Sequence, residues 1–263
     1  MLDEPYRWLE AIRNRQDYIE DQLSGGSPVV GVRYDDGMLL LTIGAGQQKI
    51  FEVHDRIALA AIGPVADIER LRMMATDTAS VQGFQSSVDD VTLHRLTNFI
   101  LGPIIKQAFE SIFGSAYIIK MLLAELGTSG RQNQFISLNY DGNVQANRRA
   151  LAIAGSNEAE QAMQRYLSAT TPELSLSAAL KLALETWAVG KQATSRAEED
   201  EPEDDEVWDA SKVDTDALRD VVAKALQRGE AEAGVLQTSR QGRSKFRPVT
   251  LEEINVAISG WIA

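Results

Sequence analysis

The stretch that decides the fold spans residues 49–67 and reads KIFEVHDRIALAAIGPVAD. It contains two short apolar runs, residues 49–53 and 56–62, which are separated by a two-residue turn. Runs of this length and composition are typical of strands in a buried sheet. A glycine-proline pair ends the second run, and from Val65 the apolar residues recur at helical spacing. The stretch therefore predicts a β-hairpin that leads directly into a helix.

Upstream, the sequence predicts a helix and a second hairpin. Residues 5–23 place apolar side chains at helical spacing among charged ones, as in an amphipathic helix. Residues 29–34 and 38–43 are apolar runs joined by an acidic turn that ends in Gly37, which is a strong hairpin signal. We expect the apolar side chains of the helix to be buried against the body or a neighbouring chain, and they are Trp8, Ile12, Ile19 and Leu23.

Downstream, runs of strands and runs of helices follow one another. Helices are predicted over residues 65–83, 90–113 with a kink at Gly102 and Pro103, 157–168, 175–190, 214–227 and 251–262. Strands are predicted over residues 116–126, 134–139, 149–154, 231–238 and 245–249, and the last helix begins with a Thr250–Glu253 capping box. Segregated runs of this kind indicate an α+β domain in which helices pack on antiparallel sheets.

Composition limits the possible functions. The chain of 263 residues has a formal charge of −12, which disfavours nucleic acid because phosphate backbones need a basic surface. It has no cysteine, and its two histidines, His54 and His94, lie far from any acidic cluster of ligand spacing, so we predict no metal and no cofactor. No apolar run is long enough to span a bilayer and no signal peptide is visible, so we expect a cytoplasmic protein without membrane contact.

Residues 197–209 form the most acidic segment and read AEEDEPEDDEVWD. A run of like charge that contains a proline cannot bury apolar surface, so it is predicted to be a solvated or disordered loop. The alternative is an electrostatic role, because several copies in one assembly would create a strongly negative surface that favours a basic partner. Trp208 inside this segment is a candidate docking anchor.

Three parts of the chain resemble one family. Residues 49–67 resemble the segment of proteasome subunits in which a lysine starts a hairpin and a Gly-x-Val-Ala-Asp turn opens the first large helix. Residues 5–15 resemble the N-terminal helix of bacterial proteasome α subunits, and parts of residues 233–250 resemble their final hairpin. The resemblance covers about residues 5–190 and 230–258, and it leaves the acidic segment unmatched.

The resemblance implies a four-layer αββα sandwich of the N-terminal-nucleophile hydrolase fold with an N-terminal α-subunit-type helix. It divides the chain into an N-terminal gate segment and helix (1–26), an αββα core (27–193), an acidic insertion with a short helix (194–229), and a closing hairpin and helix (230–263). It further implies a non-catalytic subunit that forms a homo-oligomeric, heptameric ring on a β-type subunit. This subunit gates substrate entry with Pro5 and Tyr6 and docks an ATPase activator.

Two residues match the activator pocket of the family. In α rings a lysine between neighbouring subunits pairs with the C-terminal carboxylate of the activator, and a glycine offers its backbone N–H; the matching residues here are Lys49 and Gly63. A positive charge together with a backbone donor suits the capture of a carboxylate. Judged from spacing alone, Lys49 is equally well explained as a solvated lysine at the end of a strand.

Ser27 keeps an enzymatic alternative open. Active β subunits of the family expose an N-terminal threonine by cleavage after a glycine, so that one residue supplies both the nucleophile and an activating amine. In this chain Gly26 precedes Ser27, and Lys49 would be the auxiliary base. However, Pro28 follows Ser27 and no carboxylate follows the second predicted strand, so we predict no catalytic residue. A third possibility is an isolated homologue that binds a ligand or a protein without a β partner.

Overall fold

The structure is a computed structural model that describes residues 4–111, 114–128, 130–168, 174–199, 214–259 and 261. Its helices are α1 (Glu4–Ser24), α2 (Val65–Gln85), α3 (Leu93–Arg95), α4 (Gly102–Glu110), α5 (Asn157–Ser168), α6 (Leu176–Glu199), α7 (Thr215–Leu226) and α8 (Leu251–Ile258). Its strands are β1 (Val29–Tyr34), β2 (Gly37–Gly44), β3 (Ile50–His54), β4 (Ile57–Ile62), β5 (Lys120–Glu125), β6 (Gln134–Asn139), β7 (Val144–Asn147), β8 (Ala150–Ile153), β9 (Glu230–Gln237) and β10 (Phe246–Pro248). A 3₁₀ turn (Val88–Asp90) precedes α3, and a π-helical stretch (Leu96–Leu101) joins α3 to α4.

The strands form two antiparallel five-stranded sheets. The first has the order β10-β9-β2-β1-β8, and the second has the order β3-β4-β5-β6-β7. Both predicted N-terminal hairpins are present, one in each sheet. Gly63 ends the second hairpin with φ of 142°, and a Cβ there would lie 2.2 Å from the carbonyl oxygen of Ile118, so only glycine fits. Asp67 then accepts a hydrogen bond from the Ile118 N–H and ties α2 to the start of β5.

Alternation of side chains along the strands divides the core into three parts. Val30 of β1 lies in the core between the first sheet and helices α5 to α8, whereas its neighbour Val29 lies in the core between the sheets. In the second sheet Leu59 faces α2 and α4, and Ala60 faces the other sheet. The result is a helix, sheet, sheet, helix sandwich, so the predicted α+β αββα fold is confirmed.

Two glycines bear on where the helices were predicted to end or bend. The prediction that α6 ends near Gly190 is wrong, because the helix continues to Glu199. Gly190 serves contact between helices instead, since a Cβ there would lie 2.5 Å from the Met163 sulfur. The interruption or kink predicted at Gly102 and Pro103 falls where the π-helical stretch changes into α4, and Gly102 packs close to the Thr97 carbonyl.

Other differences concern short or peripheral elements. Strand β7 was not predicted, because it has only four residues and Val144 is its one large apolar side chain; all four residues are exposed. The predicted strand over residues 116–126 narrows to β5, and the last helix ends at Ile258 rather than residue 262. Its capping box of Thr250 and Glu253 is present as predicted.

The short helix of the acidic insertion belongs to the body of the protein. Leu218 and Val222 of α7 are fully buried in the core on the first sheet. Residues 200–213, which include Trp208 and most of the acidic run, lie outside the described residues. The role of that run and the predicted segment boundaries therefore stay predictions.

Candidate functional site

Helix α1 packs on the core between the two sheets. Ile19 and Leu23 are each only 1% exposed there, and Ile12 is partly buried beside them. Trp8 is 43% exposed on the single chain, so its predicted burial requires a neighbouring chain. Pro5 and Tyr6 lie in the first turn of α1, but their side chains are outside the described part of the structure. Their predicted gate role is therefore not tested.

Arg15 clamps α1 to the end of α4. Its guanidinium donates hydrogen bonds to the carbonyl oxygens of Phe109 at 2.7 Å and Ser111 at 2.6 Å, with longer contacts to two neighbouring carbonyls. The last carbonyls of a helix have no partner within the helix, and positive charge is favourable at that end. Arg15 therefore caps α4 and holds α1 in place.

A polar network under α1 adds a second attachment. Lys120 of β5 is 1% exposed, and its Nζ donates to Glu160 Oε1 at 3.0 Å and to Asn157 Oδ1 at 3.4 Å. Glu20 of α1 lies near this lysine and accepts a hydrogen bond from the Tyr140 hydroxyl. Burial acts to raise the pKa of Glu20, but hydrogen bonds from Tyr140 and Gln16 outweigh it and hold that pKa below its usual value. The network therefore joins α1 to β5, α5 and the β6–β7 turn.

A cleft opens where α1 ends, with a volume of about 1240 Å³. Ser27, Lys49 and Trp187 all contribute to its lining, so the two residues of the enzymatic alternative share one cavity. Gly26 also lines it, and a Cβ at that position would lie 2.2 Å from the Ile62 side chain. The glycine is thus required for α1 to turn into β1 against the second sheet.

The Ser27 hydroxyl is fully engaged. Its Oγ donates to the Ile43 carbonyl at 2.5 Å and accepts from the indole Nε1–H of Trp187 at 3.0 Å. With the chain intact, its backbone nitrogen is an amide and not an activating amine. Thr42 of β2, a neighbouring hydroxyl, donates to the Pro28 carbonyl. Among the described residues, no base contacts the Ser27 hydroxyl, so this arrangement offers no activated nucleophile.

Lys49 is fixed through its backbone, while its ammonium group has no hydrogen-bond partner among the described residues. The N–H groups of Lys49 and Ile50 both donate to the Glu232 carboxylate at 2.8 Å, which fixes the start of β3. No hydrogen-bond acceptor among the described residues reaches Lys49 Nζ. Burial lowers the pKa of Lys49, Lys191 lowers it further, and Glu232 partly opposes them. Burial likewise raises the pKa of Glu232. Lys49 is thus a partly desolvated cation that opens into the cleft.

Gly63 lies beside the cleft rather than in it. Its neighbour Ile62 contacts Gly26, but Gly63 is absent from the residues known to line the cavity. No acceptor in the described part of the chain takes the Gly63 N–H. The sequence predicted that Lys49 and Gly63 share one pocket. In the structure Lys49 precedes β3 and Gly63 follows β4, at the same end of these two paired strands.

Three neighbours of the site were missed from the sequence. Trp187, Lys191 and Glu232 lie 160, 142 and 183 residues from the site residues that they face. The indole nitrogen of a tryptophan inside an apolar helix was the only signal, because a buried indole N–H needs an acceptor.

The remaining polar candidates show no metal geometry. His54 packs against Gly83, and His94 hydrogen-bonds to Asn98 at 2.6 Å. Within the described ranges, no group of three or more histidine, aspartate or glutamate side chains could hold a metal ion. The same ranges contain no helix with the length and apolarity needed to cross a membrane.

The four layers, the hairpin order and Ser27 at the head of β1 define a protein of the N-terminal-nucleophile hydrolase fold. The family model described as Proteasome subunit matches residues 23–196. The proteasome subunit alpha of Thermomonospora curvata is 31% identical over 197 residues, covering 72% of this chain and 82% of the relative. That of Actinosynnema mirum is 28% identical over 236 residues, covering 87% and 85%. The chain belongs to the proteasome subunit family, and these relatives are bacterial α subunits.

Proposed function

We propose that this chain is a non-catalytic α-type subunit of a cytoplasmic proteasome core particle. It forms a homo-oligomeric, heptameric ring, stacks on a β-type subunit, gates substrate entry with its N-terminal segment including Pro5 and Tyr6, and docks an ATPase activator at Lys49 and Gly63. The observation that carries the proposal is the attachment of α1 to the body directly ahead of a fully hydrogen-bonded Ser27.

The attachment of α1 argues against processing at Ser27. Cleavage after Gly26 would release a helix whose Ile19 and Leu23 are buried and whose Arg15 caps α4. Burying an aliphatic side chain of this size contributes about 1.5–3 kcal/mol. A segment with this many contacts acts as part of the fold and not as a removable propeptide.

The state of Lys49 supports activator docking. A cation that is partly desolvated and has no hydrogen-bond partner among the described residues gains more from an incoming carboxylate than a solvated lysine does. A hydrogen bond to a charged group contributes about 1.5–3 kcal/mol. Gly63 lies at the same end of the second sheet, and its N–H, which has no acceptor among the described residues, supplies the second donor.

The catalytic part of the proposal is tested by assembling the chain with a β-type subunit and comparing wild type with Ser27→Ala. Peptide hydrolysis by the assembled particle should be unchanged, and intact mass should show an unbroken Gly26–Ser27 bond. Labelling of Ser27 by a serine-reactive probe, or a mass that begins at Ser27, would show that the chain is an active hydrolase.

The docking part is tested with Lys49→Ala in the same particles. Activator affinity should fall about ten- to a hundredfold, since each 1.4 kcal/mol is tenfold, while ring assembly should stay unchanged. Unchanged affinity together with lost basal hydrolysis would reject the scaffold role and favour the enzyme.

A further inference from the structure

The cleft is strongly basic in an otherwise acidic protein. The whole chain has 38 acidic residues against 26 lysines and arginines. Among the described residues that line the cleft the balance is reversed, because one carboxylate, Asp214, stands against five cations. These cations are Lys49, Lys191, Arg196, Lys224 and Arg228. Asp214 is also engaged already, since it caps α7 by accepting the Asp216 N–H. A single terminal carboxylate at Lys49 would leave Lys191, Lys224 and Arg228 without a carboxylate among the described residues.

The cations of the cleft differ from others on the same helices. Lys181 of α6 pairs with Glu185 at 3.9 Å, and Arg219 of α7 pairs with Asp216 at 2.7 Å. Lys191 of α6 and Lys224 of α7 line the cleft, and among the described residues neither has a carboxylate within ion-pair distance. The same holds for Arg228. In the described part of the chain, Lys181 and Arg219 outside the cleft are thus paired, whereas Lys191 and Lys224 inside it are available.

The walls between the charges are apolar. Among the residues that line the cleft with these cations are Trp187, Ala217, Val221 and Ala225. The volume of about 1240 Å³ exceeds the roughly 300–1,000 Å³ of a usual small-molecule site. Apolar walls with cations at separate places suit a peptide that carries more than one carboxylate, whereas a single small anion would fill only part of the space.

We propose that the cleft has a second anionic subsite, formed by Lys224 and Arg228 at the end of α7, which binds an Asp or Glu side chain upstream of the terminal carboxylate held at Lys49. The ligand is thus an acidic C-terminal peptide tail of the activator. This inference rests on the proposed docking role of Lys49 and names the chemistry of the tail. Like charges gathered in one cleft repel each other, so each carboxylate that binds there relieves repulsion as well as forming its own contact.

The test uses the full-length chain and fluorescent octapeptides with a free C-terminus. A series carries one Glu at each of the second to fifth positions from the end, and matched peptides carry Gln or a C-terminal amide. At its best position, Glu should bind wild type about fivefold or more tighter than Gln, as expected for two partly exposed cations acting on one carboxylate. Amidation should weaken every peptide.

The variants separate the two subsites. The double change Lys224→Gln with Arg228→Gln should abolish the preference for Glu and keep the effect of amidation. Lys49→Ala should do the reverse. Lys181→Gln, which neutralises a paired cation on α6, should change neither.

Three outcomes would overturn the proposals in different ways. Equal binding of Glu and Gln peptides, with the effect of amidation intact, rejects the second subsite and leaves the Lys49 role standing. A preference for Glu without any effect of amidation or of Lys49→Ala rejects the Lys49 role and leaves the basic subsite standing. No binding of any peptide at millimolar concentration rejects both.

Discussion

Two lysines near the end of α1 are both shielded from water, but only one of them has hydrogen-bond partners among the described residues. Lys120 is fully buried, and its ammonium group is satisfied by Glu160 and Asn157. Lys49 is only partly buried, and its ammonium group has no acceptor among the described residues. Both lie on strands of the second sheet or at its edge, so the surrounding fold is the same.

This difference distinguishes a lysine that stabilises the fold from a lysine that is available to bind a ligand. A buried charge that has its partners belongs to the fold, because removing one partner leaves the other uncompensated. A half-buried charge without a partner contributes little to folding and keeps its interaction for a ligand. The following variants test this comparison from the largest expected effect to the smallest.

Lys120→Met should destabilise the unassembled chain by about 3 kcal/mol, because the partly buried Glu160 would lose the cation with which it pairs. Urea unfolding followed by circular dichroism measures the change. Adding Glu160→Gln should recover most of the loss, since the amide oxygen still accepts the Ala154 N–H. If Lys120→Met lowers the free energy of unfolding by less than about 1 kcal/mol, the Lys120–Glu160 ion pair contributes no more than an exposed one. Lys120 would then not differ from Lys49 as a structural cation.

Arg15→Ala should loosen α1 by about 1.5–3 kcal/mol, because it removes charged hydrogen bonds to the end of α4. Amide hydrogen exchange should rise in residues 8–24 and around residue 111. Arg13→Ala is the matched control, since this exposed arginine on the same helix has no hydrogen bond or ion pair in the described structure. Equal exchange in both variants would show that apolar packing alone holds α1.

Glu20→Gln should remove about 1 kcal/mol of stability near neutral pH, where the carboxylate accepts the Tyr140 hydroxyl. The folded pKa of Glu20 lies below its usual value, so its stabilisation is complete above the unfolded pKa and is lost as pH falls through the folded one. The stability difference between wild type and Glu20→Gln should therefore shrink below about pH 4.5. A difference that grows with acidification would contradict the lowered pKa.

Lys49→Met should change stability by less than about 0.5 kcal/mol, because no hydrogen bond or ion pair of the ammonium group is lost among the described residues. The same thermal or urea measurements apply. A loss comparable with that of Lys120→Met would show that Lys49 is a structural cation and would remove the basis for activator docking.

The sequence predicted what depends on neighbours along the chain. Three features that depend on a few consecutive residues are present: the hairpin with its turn before Gly37, the hairpin that ends at Gly63, and the capping box of Thr250. Gly190 was misread as a helix end because the reason for this glycine is the close approach of Met163 from α5. A glycine that ends a helix and a glycine that admits a neighbour look identical in sequence.

The candidate site was predictable only in part for the same reason. The family resemblance pointed to Ser27 and Lys49, and both line one cleft. The engagement of the Ser27 hydroxyl by Trp187, and the basic wall supplied by α6 and α7, depend on contacts across more than 140 residues. No spacing rule connects such positions, so only the folded chain reveals them.

The anchoring of α1 has a consequence during synthesis. Arg15 and Glu20 leave the ribosome early, but their partners at Ser111, Tyr140 and Asn157 follow 96, 120 and 137 residues later. At about 5–20 residues per second, translation of that interval takes roughly 7–27 s. Throughout this time the apolar stripe of Ile19 and Leu23 has no native surface to cover it. The nascent helix therefore exposes apolar surface during synthesis, and surface of this kind is prone to aggregation until its partners are translated.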